Sequence, residues 1–306
     1  MDKFIVNLLE HKTRLDVYLT KQLNKHRSYV DKLFDHQLIK VNGGLAIKKG
    51  QLISNGMIIE VDDLIEKTPK VVKEKAKKIK IVYEDNDVIV INKPKDILTH
   101  PTSFKETNTV INGLLPKIKV KEFEDKLRPG VVHRLDRNTT GLMVVAKNAK
   151  AYKSLLDQIT KRRMMRKYLA LVHHNFQDKY LLIKAPIDRS KQDLLKMVVS
   201  DEPKAKLAST EITVLENYNN GALIECHLLT GRTHQIRVHL AYIHHPVFND
   251  ALYGSNDGYG DYGQFLHAYE LSFIQPTTKE LLSFESKPDK TFNELKTRLT
   301  KGRLND

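Results

Sequence analysis

The sequence has a single cysteine, Cys226, among its 306 residues. One cysteine cannot form an internal disulfide, and it cannot supply the several thiolates of a cysteine-rich zinc site. The chain also lacks an apolar run of about 18 residues, the length that a transmembrane helix requires. Its first residues, Met1 to Phe4, do not have the pattern of a secretory signal peptide. These absences predict a cytoplasmic protein that makes no contact with a membrane.

Acidic side chains are too few to balance the basic ones, because 51 Lys and Arg residues face 37 Asp and Glu residues and leave a formal net charge of +14. Such an excess favours a polyanionic partner, since each neutralised phosphate releases counterions. A charge kept for solubility, or lysine enrichment in an AT-rich genome, gives the same excess. Charge alone therefore leaves nucleic-acid binding and these neutral explanations both open.

Residues 1–62 have the pattern of a small module. Apolar residues at positions i, i+3, i+4 and i+8 from Leu15 predict an amphipathic helix, and Ser28 is placed to cap a second one. The dipeptide Asn42-Gly43 follows alternating apolar residues and predicts a tight turn between strands. Basic side chains occupy the polar faces, and they are Lys21, Lys25, Arg27 and Lys32. The pattern is typical of an RNA-binding unit, although a mini-domain with a solvated basic face would share it.

Residues 63–78 are rich in lysine and poor in large apolar side chains. They predict a basic linker, with a solvated helix as the alternative. Residues 79–306 mix strands and helices without the strict alternation of a doubly wound fold. We therefore expect an α+β catalytic domain with a mixed, largely antiparallel sheet flanked by helices. The clearest strand patterns are 81–83, 88–91, 141–146, 168–172, 212–215 and 223–229, and the clearest helix patterns follow Asn148 and occupy 233–242 and 292–299.

Three polar clusters in this domain are candidates for chemistry. In the first, an apolar segment predicted to be a strand ends before Asp136, which lies between Arg134 and Arg137. Flanking cations keep a carboxylate ionised, as a nucleophile requires, although such a run is more often a structural group of salt bridges. The second, Thr230–His239, leads from a strand through a glycine turn into a basic helix suited to phosphates and carboxylates. The third, Arg166–Leu169, places a tyrosine beside cations, an arrangement suited to stacking on a flipped base.

The clusters resemble, in order and spacing, motifs of the pseudouridine synthases of the RluA/RluD type. The similar segments are His133–Gly141 (HRLDRxTSG), Arg166–Ala170 (RKxYxA), Thr230–His239 (TGRTHQIRVH) and Phe265–Ala268 (FLHA). Thr140 stands where serine is usual, and both residues carry a hydroxyl group. The resemblance covers about residues 79–284, and residues 12–62 resemble the small RNA-binding module of a small-subunit ribosomal protein and some tyrosyl-tRNA synthetases.

The resemblance implies a role for individual residues. It makes Asp136 the catalytic aspartate, which acts while the uracil detaches from nitrogen and rejoins the ribose through carbon 5. It makes Tyr168 the ring that stacks on the base and a candidate for the final deprotonation, and it makes Leu266 the apolar floor beneath that ring. Arg237 becomes the partner that holds the aspartate bidentately, and Arg134 the wedge that fills the space left by the flipped base.

The resemblance also implies the partners of the chain. His133, Arg137 and Arg232 become contacts to a structured RNA, with ribosomal RNA favoured and transfer RNA as the alternative. No cofactor is expected, because the isomerisation exchanges no electrons with a carrier. No metal is expected either, because the histidines form no HExxH or Cys/His pattern. We further expect a monomer without an obligate protein partner.

Two other classes of function remain open at this stage. One is a silent RNA-binding or assembly protein that keeps the fold without turnover. The other is a hydrolase in which His133 acts as a base for Asp136. A position of Arg237 beside Asp136 would favour the isomerase over the hydrolase.

Overall fold

The computed structural model describes residues 2–7, 11–46, 48–62, 79–104 and 106–302. The chain divides into two compact units, Met1–Pro69 and Lys70–Asp306. The predicted basic linker at residues 63–78 lies outside the described residues. Within the described ranges, no helix is both long enough and apolar enough to cross a membrane.

The N-terminal unit combines short strands with two helices. Its elements are β1 (Asp2–Ile5), β2 (Thr13–Arg14), α1 (Leu15–Gln22), α2 (Arg27–Asp35), β3 (Ile39–Val41), β4 (Gly44–Leu45), β5 (Leu52–Ile53) and β6 (Ile58–Val61). The sheet has the order β1-β6-β3-β4, and β2 pairs with β5. The predicted turn is confirmed, since Asn42 and Gly43 both have positive φ between β3 and β4.

The predicted cap of the second helix is wrong by two residues. Helix α2 begins at Arg27 and has His26 as its N-cap residue, with an extended backbone and no capping bond from its side chain. Ser28 therefore lies inside the first turn. The helix can begin this early because α1 ends at Gln22 and the chain reverses at Asn24, which has a φ of 48°.

The second unit contains one large sheet. Its strands are β7 (Lys80–Glu84), β8 (Val88–Lys93), β9 (Thr140–Ala146), β10 (Met165–His173), β11 (Tyr180–Lys184), β12 (Ile187–Arg189), β13 (Met197–Val199), β14 (Ser209–Tyr218), β15 (Gly221–Leu228), β16 (Leu266–Ile274) and β17 (Leu281–Glu285). Its helices are α3 (Val110–Leu114), α4 (Ala149–Thr160), α5 (Gln235–Tyr242) and α6 (Lys290–Thr300), with short 3₁₀ turns at Leu115–Lys117, Val120–Glu122 and Gly260–Tyr262.

The sheet confirms the predicted fold class. Its strand order is β11-β14-β15-β10-β16-β9-β8-β7, with β17 paired to β16, while β12 and β13 form a separate hairpin. In the large sheet of the described chain, β16 and β9 run parallel and every other pairing is antiparallel. Side chains alternate between the faces, as the two-residue period of a strand requires. Val88 and Val90 of β8 pack in a cluster with α4, whereas Ile89 and Ile91 pack in one with α3.

The apolar strand predicted before Asp136 is absent. Val131 forms an isolated bridge with Val145, and residues 132–139 continue as a loop that enters β9 at Thr140. We call residues 131–139 the aspartate loop. It is held by side chains from distant parts of the sequence, and its conformation is therefore not that of a strand.

Candidate active site

The aspartate loop is fixed on both sides of Asp136. On one side, the Thr99 hydroxyl donates to the carbonyl of Leu135 at 2.9 Å and accepts from the amide of Leu135 at 3.1 Å. On the other side, Lys93 Nζ donates to the carbonyl of Arg137 at 2.8 Å. Asp136 is thus presented from an irregular loop whose neighbouring peptide groups are both anchored.

Lys93 is a fully buried lysine that the sequence analysis did not select. Besides the bond to Arg137, its ammonium group donates to the carbonyls of Pro94 at 2.9 Å and Ile97 at 2.8 Å. Burial lowers the pKa of Lys93 to about 7, against the opposing effect of the charge on Asp136. The three carbonyl dipoles satisfy the donors of the ammonium group, so this lysine ties β8 to the aspartate loop.

Arg237 lies on α5 and contacts Asp136, as predicted. Its Nη1 donates to Oδ2 of Asp136 at 2.9 Å. Its Nε and Nη2 donate to the two carboxylate oxygens of Asp250 at 2.7 and 2.8 Å. The prediction that Arg237 holds Asp136 bidentately is therefore wrong, because only Nη1 donates to Asp136 while Nε and Nη2 donate to Asp250. The sequence analysis missed Asp250, which belongs to none of the motifs.

The carboxylates dominate the protonation of Arg237. Burial by itself lowers the pKa of Arg237, but the bonds and charge of Asp250, followed by those of Asp136, raise it overall. The guanidinium therefore stays charged. Its central carbon also lies 5.0 Å from the centre of the Tyr253 ring.

His234 completes the surroundings of Asp136. It precedes α5 in a left-handed conformation, with a φ of 56°. Its Nε2 lies 3.9 Å from Oδ2 of Asp136, and its Nδ1 is 2.9 Å from the hydroxyl of Tyr253. Burial lowers the pKa of His234, so the ring is largely neutral at pH 7. Arg237 is therefore the cation that pairs with Asp136 at neutral pH.

One small cavity of about 40 Å³ is lined by residues from all four segments that resemble family motifs. These residues include Asp136, Tyr168, Arg237 and Leu266. Tyr168 is buried, and burial raises its pKa to about 12. Its phenol is therefore neutral at pH 7, which suits a packing and hydrogen-bonding role better than that of a base. Leu266 is also buried and supplies apolar surface to the same cavity.

A larger groove of about 760 Å³ adjoins this cavity, and Asp136, Arg134 and Arg232 line both. We call it the arginine groove, because its lining includes Arg128, Arg134, Arg162, Arg166 and Arg232. Among its acidic residues, Asp125 is already paired with Arg128 at 2.7 Å. The groove therefore offers positive charge that leads to Asp136, an arrangement suited to a phosphate backbone.

The other predicted contacts are distributed unevenly. Arg134 is exposed at the mouth of the cavity, whereas Arg137 lines neither space and lies 3.6 Å from Asp96. Arg232 donates to the carbonyl of Leu207 at 3.0 Å. Throughout the residues that the structure describes, no group of three or more His, Cys, Asp and Glu side chains is arranged to hold a metal ion.

His133 is a buried residue of the aspartate loop, and its Nε2 accepts from the amide of Val144 at 3.1 Å. Burial lowers the pKa of His133 to about 3. The ring is therefore neutral, and the nitrogen that could take a proton already holds a backbone hydrogen bond. This arrangement argues against the hydrolase in which His133 activates Asp136.

The predicted basic contacts of the N-terminal unit are all exposed, and they are Lys21, Lys25, Arg27 and Lys32. Lys25 Nζ lies 5.7 Å from the centre of the Tyr29 ring. Arg27 is 3.3 Å from Asp16, which also pairs with Arg14. The unit therefore presents an exposed basic face around α1 and α2.

Comparisons with known proteins match the second unit to a protein family. A family model described as RNA pseudouridylate synthase matches residues 87–242, a range that contains Asp136, Tyr168 and Arg237. An uncharacterized RNA pseudouridine synthase of Mycoplasma pneumoniae is 41% identical over 287 residues, which cover 92% of this chain and 91% of that protein. The ribosomal large subunit pseudouridine synthase D of Haemophilus influenzae is 35% identical over 300 residues, which cover 92% of this chain and 90% of that protein.

Solved structures agree with the sequence comparisons. Human RNA pseudouridylate synthase domain containing 1 superimposes with a TM-score of 0.55 at 28% identity, over 70% of this chain and 84% of that chain. Human RNA pseudouridylate synthase domain containing 4 gives a TM-score of 0.56 at 25% identity, over 72% of this chain and 92% of that chain. Sequence and fold therefore point to the same group of proteins.

Proposed function

The chain belongs to the RNA pseudouridylate synthase family and is an isomerase that makes pseudouridine in RNA, and from this premise we propose that its substrate is large-subunit ribosomal RNA. Relatives named ribosomal large subunit pseudouridine synthase D support this choice, because they match most of the chain at 35 to 42% identity. Transfer RNA is the competing substrate. A ribosomal substrate also places the enzyme in the cytoplasm.

Asp136 is the nucleophile of the proposed reaction. The observation that carries this role is the 2.9 Å bond from Arg237 to a single oxygen of Asp136, within a cavity that Tyr168 and Leu266 also line. Because the guanidinium engages only Oδ2, Oδ1 is left for the reaction. Asp250 holds the other edge of Arg237 and so fixes the direction of the guanidinium.

The target uridine is flipped out of its RNA stack to reach Asp136. A base inside a stacked strand is inaccessible, and extruding it costs a few kcal/mol. The cavity of about 40 Å³ has room for little more than a water molecule. Base entry therefore requires side chains at its mouth to move, and exposed Arg134 is placed there to fill the gap in the stack. Tyr168 and Leu266 then pack against the uracil ring.

The exposed basic face of the N-terminal unit supplies further contacts to the RNA. Lys21 lies on α1, Lys32 on α2 and Lys25 between the two helices, and all three are exposed, so they can approach phosphates without a large desolvation penalty. Such contacts position the enzyme without reading base identity. In this proposal, target choice comes from the shape of the RNA and from the arginine groove.

The substrate assignment is tested with purified protein and unmodified transcripts of large-subunit ribosomal RNA and transfer RNA from the source cell. Pseudouridine is detected by carbodiimide labelling and primer extension. We expect specific stops in the ribosomal transcript and none in the transfer RNAs. Stops confined to transfer RNA would replace the proposed substrate.

A further inference from the structure

Three buried side-chain nitrogen atoms have no hydrogen-bond partner in the part of the chain that the structure describes. They are Nδ1 of His100, Nδ1 of His133 and Nε of Arg166. All three residues line the arginine groove. Buried polar atoms in folded proteins are normally hydrogen-bonded, so three exceptions in one groove call for partners from outside the chain, either water or a bound molecule.

Of the three residues with unpartnered nitrogen atoms, Arg166 is the one expected to destabilise the fold most. Its side chain is buried on β10, and no carboxylate among the described residues forms an ion pair with it. Burial accordingly lowers its pKa. A buried charge without a counter-ion destabilises a fold by several kcal/mol, so such a residue is expected where a ligand brings the opposite charge.

The backbone beside Arg166 is shaped to admit the guanidinium group. A Cβ atom at Gly231 would lie 3.0 Å from Nη1 of Arg166, which is closer than most side-chain contacts. Glycine at this position therefore lets the segment from Thr230 to Thr233 pass directly over the guanidinium. That segment also lines the arginine groove.

His133 contributes a second donor to the same place. Its Nε2 accepts from the amide of Val144, and the ring is neutral because burial lowers its pKa. In a neutral imidazole one nitrogen carries the proton, which must then be on Nδ1. His133 and Arg166 both line the arginine groove. The unpartnered atoms of both residues are therefore N–H donors.

We propose that Arg166 and His133 form a phosphate subsite, which holds one phosphodiester group of the RNA strand in the arginine groove beside the nucleotide at Asp136. Two unpartnered donors and one uncompensated positive charge call for an anion with several acceptor oxygens. A carboxylate ligand would satisfy the same donors. The groove's surplus of arginines favours the polyanionic strand, and naming RNA as that strand rests on the proposed function.

The subsite is tested by substituting Arg166→Met, which removes the charge and keeps the volume. The variant and the wild type are titrated with a fluorescent ten-nucleotide oligouridylate at several salt concentrations. We expect the affinity to fall about tenfold and the slope of log affinity against log salt to decrease by about 0.7, the value for one phosphate of a single strand. Arg298→Met removes one exposed charge from α6 and is the matched control, with wild-type affinity and slope.

Thermal unfolding separates binding from a structural role. An uncompensated buried charge destabilises the free protein, so Arg166→Met should raise Tm while it weakens RNA binding. A lower Tm with unchanged salt slope would overturn the proposal and make Arg166 a structural residue. Unchanged affinity and slope would overturn it as well.

Gly231→Ala provides a second variant that keeps the charge and displaces the guanidinium by a few tenths of an ångström. We expect it to bind the oligouridylate more weakly with a nearly unchanged Tm, and wild-type binding would contradict the subsite. Inorganic phosphate added at constant ionic strength should displace the oligouridylate only weakly. Full displacement by inorganic phosphate, at a concentration equal to that of the phosphate groups of the oligouridylate, would assign the subsite to free phosphate. These are binding measurements, so they remain informative even if the proposed nucleophile or ribosomal substrate is wrong.

Discussion

Arg237 serves two carboxylates in different ways. Asp250 is buried and occupies the Nε and Nη2 edge, while Asp136 receives one bond from Nη1. The bidentate pair fixes the plane of the guanidinium, and the single bond leaves Oδ1 of Asp136 for its proposed role as nucleophile. Asp250 is thus a positioning residue that acts through Arg237.

Substituting Asp250→Asn should therefore reduce turnover more than substrate binding. Loss of a supporting residue of this kind costs about 10- to 100-fold in activity. Removing one partner of a buried ion pair also destabilises a fold by about 3–5 kcal/mol. We expect kcat to fall by about 10- to 100-fold while KM changes little. The midpoint of urea unfolding should also decrease. Asp201→Asn, an exposed substitution in the loop after β13, is the control. A wild-type kcat in Asp250→Asn would show that Asp250 is not a positioning residue for turnover.

Lys93 gives a pH dependence with a definite sign. Its pKa in the folded protein, about 7, lies below the ordinary value of 10.5. Between these values the unfolded chain binds more protons than the folded one, so this lysine makes stability rise with pH by up to about 1.4 kcal/mol per unit. Lys93→Met lacks this contribution. The free energy of unfolding of the wild type, measured relative to Lys93→Met, should increase from pH 7 to pH 9. A constant difference would contradict the depressed pKa.

At the scale of elements, local patterns predicted the regular structure well. The strands β8, β9 and β15 and helix α4 lie close to their predicted places, and Asn148 caps α4 by accepting from the amide of Ala151 at 2.8 Å. These features depend on residues near each other in sequence. Periodicity and capping chemistry are therefore sufficient to find them.

Features that depend on distant residues were not predictable. Strand β16 contains Glu270, which an isolated pattern does not favour in a strand, but its carboxylate lies 3.3 Å from Lys167 on the neighbouring strand. The aspartate loop was mistaken for the end of a strand because the bonds from Lys93 and Thr99 are invisible in the local sequence. Asp250 was missed for the same reason, since only the fold brings it to Arg237.

The junction of β9 and β16 has a specific requirement for glycine. Gly141 has a φ of 110°, and a Cβ atom there would clash with the backbone carbonyl of Ala268 on the parallel strand. Gly141→Ala should therefore destabilise the protein by about 3 kcal/mol or more in urea unfolding, because backbone must move. Gly258→Ala is the matched control: its φ is 84° with nothing within 4 Å, so we expect a loss of about 1–2 kcal/mol. Equal losses would show that conformation alone, and not the strand contact, requires Gly141.

At the scale of the whole molecule, the chain has a net charge of +14, and basic side chains line a groove beside Asp136 and form an exposed face on the N-terminal unit. The resemblances found in the sequence identified the family, and Asp136, Tyr168 and Arg237, which lie in its motifs, line one cavity. The proposed target RNA could not be read from these motifs, because shape recognition uses surfaces without a sequence signature.

Neutralising the N-terminal face should weaken RNA binding without affecting chemistry. We expect the triple substitution of Lys21, Lys25 and Lys32 to Gln to lower the slope of log affinity against log salt by up to about 2–3, at roughly 0.7–0.9 per phosphate contact. The single-turnover rate at saturating RNA should stay at the wild-type value. Affinity is measured on the ribosomal transcript, with Lys153→Gln, Lys290→Gln and Arg298→Gln combined as a charge-matched control. Equal slopes in the two variants would assign the N-terminal unit a role other than phosphate binding.

The central claim is that Asp136 carries out pseudouridine formation in ribosomal RNA. Its most direct test maps pseudouridine in total RNA from cells that lack the gene and from cells complemented with wild type, Asp136→Asn or the surface control Asp157→Asn. We expect cells that lack the gene to lose one or a few pseudouridine sites in large-subunit ribosomal RNA. Wild type and Asp157→Asn should restore these sites, whereas Asp136→Asn should not. Restoration of those sites by Asp136→Asn would contradict the role of Asp136 as the nucleophile.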